Sequence, residues 1–68
     1  MFDFERIKAC RLQKGMTQEE LAEASGVSRL AISNLERGKV SNAKSKTLYA
    51  IAEALGVMID DFFYSQDA

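Results

Sequence analysis

Arg29, Leu30, Ser33 and Asn34 are the side chains of this 68-residue chain whose types and spacing could read another molecule. Ile32 and Leu35 recur at a three-residue interval, so a helix that buries them turns those four outward. A leucine facing outward among polar residues is unusual. Arginine can donate two hydrogen bonds to guanine, asparagine can pair with adenine, and leucine can touch a thymine methyl. The surrounding charge suits a polyanion. Across residues 27–47, Arg29, Arg37, Lys39, Lys44 and Lys46 stand against Glu36 alone, a local balance of +4. The last 21 residues carry four acids and no base, and the whole chain sums to −1. That total is unlike a typical nucleic-acid binder. The distribution resolves the conflict, because such a field draws a polyanion to one face and repels it from the other end.

Those side chains need a frame, and the stretch TQEELAEASGVSRLAISNLERG, from Thr17 to Gly38, supplies it. Thr17 and Glu20 have the spacing of a reciprocal capping box, which opens a helix at Gln18. Gly26 ends it, since glycine takes positive φ without steric cost. Ser28 can cap a second helix, and Gly38 stops that one. Two short helices joined by a glycine turn make a helix-turn-helix. On the N-terminal side, Phe4 to Lys14 reads as a first helix with Phe4, Ile7 and Cys10 inward. Leu12 falls off that stripe, and the sequence leaves it either beside the core or exposed. Met16 is placed as a hydrophobic staple. Val40, in the loop after Gly38, is expected to tuck inward. Ser45 can cap a fourth helix in which Leu48, Ile51, Ala52 and Leu55 follow the helical period until Gly56. A short fifth helix follows, with Ile59, Phe62 and Phe63 packed inward or sideways and Asp60 and Asp61 in its first turn. Ser65 to Ala68 should fray.

Composition removes most catalytic chemistries. The chain has no histidine and its only cysteine is Cys10. Zinc sites of cysteine or histidine, cysteine-histidine nucleophiles and serine-histidine-aspartate triads are therefore excluded. Cys10 lies one turn after Ile7 and reads as a small buried hydrophobe. Asp60 and Asp61 are adjacent carboxylates without further oxygen ligands nearby, so neither a metal nor a cofactor is expected. A domain this small buries only about 60% of its unfolded surface, too thin a core to house a cleft easily. The N-terminus has no apolar run long enough for a signal peptide, and no stretch approaches a membrane span, so a cytoplasmic, reducing location is expected.

Gly15, Thr17 to Ala22, Gly26-Val27-Ser28, Ile32 and Leu35 to Lys39, with Ile7, Arg11 and Leu48 to Gly56 on the flanks, resemble repressors of the phage repressor and Cro type, the xenobiotic-response-element family. The likeness runs from roughly Phe4 to Phe63, nearly the whole chain. It implies a lambda-repressor-like, all-α bundle of five helices, a single domain over 1–68 with its core at about 4–63. It also implies a non-enzymatic regulator that binds double-stranded DNA. The family's base-reading positions fall on Ser28, Arg29, Leu30, Ser33 and Asn34. Its phosphate contacts fall on Thr17, Gln18, Arg37, Lys39, Ser41, Asn42 and Lys44, with Lys46 and Thr47 as further candidates. An arginine at position 11 pairs with the glutamate at position 36. The family usually has serine or threonine where this chain has Met58, which weakens the cap of the fifth helix.

Related proteins double their site through a two-fold axis, so a homodimer is expected, with Met58, Phe63 and Tyr64 at its interface. The rival reading is a protein-interaction module of the same fold, an antitoxin or a repressor antagonist with a protein partner, which the acidic C-terminal third supports.

Overall fold

The computed structural model describes residues 3–39 and 44–63. They form α1 (Phe4–Gln13), α2 (Gln18–Ser25), α3 (Arg29–Glu36) and α4 (Ser45–Leu55), followed by a 3₁₀ turn over Ile59–Phe62. The start of α1 and both ends of α2 have local causes. Asp3 caps α1 by accepting the Glu5 N–H at 3.1 Å. At α2 the capping box is complete: Thr17 Oγ1 accepts the Glu20 N–H at 3.0 Å and Glu20 Oε1 accepts the Thr17 N–H at 2.9 Å. Gly26, at φ 75°, ends α2 by donating to the Ala22 carbonyl. Ser25 Oγ stiffens the same turn, donating to the Leu21 carbonyl at 2.7 Å and accepting the Val27 N–H at 3.2 Å.

Ile7, Leu21, Ile32, Ile51, Leu55 and Phe62 are fully buried, and Cys10, Leu35, Leu48 and Ala52 complete the core around them. α2 packs against both α3 and α4, α1 against α3, and the 3₁₀ turn against α1 and α4. The two ends of the domain are tied together. Asp3 donates its N–H to the Phe62 carbonyl at 2.7 Å, and Arg6 Nε donates to the Asp61 carbonyl at 3.1 Å. These bonds hold the turn that inserts Phe62.

Two expectations need correction. The described residues form four α-helices, and the expected fifth is a 3₁₀ turn of 4 residues. Asp61 accepts the Met58 N–H at 3.2 Å, but Met58 has no hydroxyl to return the bond, and Phe63 is already extended at φ −114°. Ser45 is not a cap; Lys44 occupies that position with no side-chain bond, and Ser45 is the first helical residue. Leu12 is 57% exposed, which settles its position outside the core. The expectations for Val40 and for Ser65 to Ala68 lie outside the described residues.

Candidate nucleic-acid interface

α3 begins at Ser28, whose Oγ accepts the Ala31 N–H at 3.1 Å. Burial of Ile32 and Leu35 fixes the rotation of the helix. Arg29 and Leu30 consequently stand exposed, while Ser33 and Asn34 are half-buried. Leu30 is 71% exposed, too open to contribute to the core. Arg29 lies at the seam between α2 and α3. It shares one shallow cleft with Gln18, Leu30 and Ser33, and another with Arg11, Thr17, Gln18 and Glu19. The start of α2 and the outward side of α3 thus form one continuous surface.

Arg11 fastens that surface from behind. Its Nε lies 2.7 Å from Glu36 Oε2, a second guanidinium nitrogen donates to Oε1 at 3.0 Å, and the third donates to the Met16 carbonyl at 2.7 Å. Both side chains are buried, 8% and 4% exposed. Gln18 joins the pair, its Nε2 donating to Glu36 Oε1 at 3.1 Å. The last turn of α3, the first turn of α2 and the end of α1 therefore share one polar node. The hydrogen bond to Glu36 raises the Arg11 pKa against the lowering effect of burial. For Glu36, burial alone would favour the neutral acid. Hydrogen bonds from Arg11 and Gln18, with the charges of Arg11 and Lys8, overcome it and hold the carboxyl below its ordinary value.

The donation from Gln18 is a feature that the sequence reading missed. It spans 18 positions, and no local pattern announces it. It also occupies one N–H of the amide expected at a phosphate, leaving the second N–H and the amide oxygen. Thr17 keeps a hydroxyl proton to donate while its oxygen caps α2.

α3 closes in a tight stop. Gly38, at φ 70°, donates to the Leu35 carbonyl at 3.1 Å, and Lys39 donates its N–H to the Asn34 carbonyl at 2.9 Å. A Cβ at Gly38 would lie 3.3 Å from the Phe4 ring, so positive φ and packing both favour glycine here. Arg29, Arg37, Lys39, Lys44 and Lys46 are all exposed. Arg11–Glu36 is the sole salt bridge among the described residues, so none of these five cations is paired with an acid there. Ser41 and Asn42 lie outside the described residues, as does Tyr64. Met58 is 70% exposed and Phe63 42%, but only Met58 lines the broad groove beside α4. No group of three or more metal-ligating side chains occurs among the described residues. None of their helices is long and apolar enough to cross a membrane.

The family model described as helix-turn-helix matches residues 7–62. The chain belongs to that family. An uncharacterised transcriptional regulator of the same type from Archaeoglobus fulgidus is 44% identical over 62 residues, covering 91% of this chain and 87% of its own. The immunity repressor of Bacillus phage phi105 is 40% identical over 55 residues, covering 81% of this chain but 38% of the repressor. Among solved structures, the biofilm master regulator SinR of Bacillus subtilis in complex with DNA superposes with a TM-score of 0.84 at 32% identity, covering 88% of this chain and 98% of that one. The helix-turn-helix family to which this chain belongs thus includes transcriptional regulators and a phage repressor, and its fold has been seen on DNA.

Proposed function

We propose that this chain is a sequence-specific transcriptional regulator, a repressor or a controller, that binds double-stranded DNA as a homodimer without a catalytic step, metal or cofactor. The observation that carries the reading is the outward row on α3, exposed Arg29 and Leu30 above half-buried Ser33 and Asn34, set opposite fully buried Ile32 and continuous with the start of α2. An α-helix about 10–12 Å across fits the major groove, about 12 Å wide. Ser28, Arg29, Leu30, Ser33 and Asn34 would read base edges there. Thr17, Gln18, Arg37, Lys39 and Lys44, with Ser41 and Asn42 of the connecting loop, would hold phosphates and set the register.

A single short helix reads too few base pairs for useful specificity, and a two-fold dimer doubles the site. Met58, Phe63 and Tyr64 belong to that reading as interface residues, and a cytoplasmic location goes with it. Selection of bound sequences from random duplex DNA tests the proposal. The expected outcome is an inverted repeat whose half-sites are centred about 10–10.5 base pairs apart. Recovery of unenriched sequence, or of a single half-site bound by one chain, would count against it.

A further inference from the structure

We propose that α4 carries a self-complementary stripe that pairs with α4 of a second copy, antiparallel, about a two-fold axis passing between Tyr49 and Ala50. This specifies the dimer of the DNA-binding reading and rests on it.

The side of α4 turned toward the core presents Leu48, Ile51, Ala52 and Leu55. The opposite side presents Lys46, Tyr49, Ala50 and Glu53, spaced i, i+3, i+4 and i+7. Tyr49 is 61% exposed, a large apolar ring held away from the core on a helix that is otherwise well packed. These four residues and Met58, 70% exposed, line the same open groove. In an isologous contact, residue i meets j and j meets i. An antiparallel helix pair centred between positions 49 and 50 brings Tyr49 onto the partner's Ala50, and Ala50 under the partner's Tyr49. The large ring thus meets the small side chain twice. The same axis sets Lys46 against the partner's Glu53, and Glu53 against the partner's Lys46. Size and charge therefore agree on one register. A parallel pairing in register would instead oppose lysine to lysine and glutamate to glutamate. Met58 adds apolar surface at the C-terminal end of the stripe. A patch of this length falls at the small end of specific interfaces, so association without DNA is weak and concentration-dependent.

The test uses charge reversal on the full chain without DNA, so any phosphate contact of Lys46 cannot enter the readout. Sedimentation velocity over a concentration series measures association, and circular dichroism checks each fold. Lys46→Glu alone places two glutamates at both ends of the contact, and Glu53→Lys alone places two lysines. Each single variant should self-associate at least about tenfold more weakly than the unaltered chain. An equimolar mixture of the two should regain association, because each contact in the heterodimer is then glutamate against lysine. Equal association of all species, or single variants that lose association without recovery on mixing, would overturn the register. An unaltered chain that stays monomeric at millimolar concentration would overturn the second copy as the occupant and leave the face to another protein. Base reading by Arg29 is measured separately on DNA, so either failure leaves that result interpretable.

Discussion

Removing one member of the Arg11–Glu36 pair leaves the other buried in a site shaped for two charges. Breaking such a pair costs about 3–5 kcal/mol when burial is deep, and both side chains here are at least nine-tenths buried. Arg11→Met also strips the Met16 carbonyl of its donor. Its melting temperature should drop sharply at neutral pH, and an unchanged curve would reduce Arg11 to a surface charge. The pH dependence has a definite sign. Glu36 titrates lower in the fold than in the unfolded chain, where a glutamate has a pKa of about 4.3. Its contribution to stability is complete above that value and is lost as the pH falls through the lower folded value. In Arg11→Met burial still favours the neutral acid while the lowering effect of Arg11 is lost, so Glu36 takes up its proton at a higher pH in that fold than in the unaltered one. The gap between the two melting curves should therefore narrow below about pH 4. A gap that stayed constant into acid would show that the lost stability lay elsewhere.

At the scale of elements, capping sets where α2 starts and hence where its first turn stands relative to α3. Thr17→Ala removes the acceptor for the Glu20 N–H and should cost about 1 kcal/mol, measurable by denaturant unfolding. Phe62→Ala should cost more, about 3–5 kcal/mol, since the ring is fully buried. An exposed-residue cost at Phe62 would mean that the 3₁₀ turn does not close the core. Such boundaries were legible because their causes are local: Thr17 with Glu20, Ser28 as a cap, Gly26 and Gly38 as stops. The outward rotation of Arg29 and Leu30 followed from Ile32 and Leu35 for the same reason. The C-terminal end was less legible. Asp60, Asp61 and the apolar residues around them have helix-like spacing, but Phe63 turns extended and the turn is held by Arg6, 55 positions away. A side chain that bonds a distant backbone carbonyl leaves no pattern in the sequence. Gln18 escaped because its partner, the Glu36 carboxylate, is also distant in the sequence, and Tyr49 because its exposure matters only against a second molecule.

The charge along the chain is divided, with cations around α3 that form no salt bridge among the described residues and acids in the last third. A protein that docks through that field should lose affinity as salt rises, since each phosphate neutralised releases condensed counterions. Lys39, fixed at its backbone by the stop of α3, belongs to this uniform component. Lys39→Ala should weaken every duplex about equally and flatten the salt slope by roughly one unit. Arg29 belongs to the other component, because it projects from the first turn of α3 at the seam with α2. The decisive measurement is the affinity of Arg29→Ala for the selected operator, its single-base variants and random DNA at several salt concentrations. The predicted result is a loss of about 1–3 kcal/mol on the operator, with base preference relaxed at one position in each half-site and random DNA affected much less. An even loss across all sequences would make Arg29 a phosphate contact and contradict the assignment of the outward side of α3 as the reading surface.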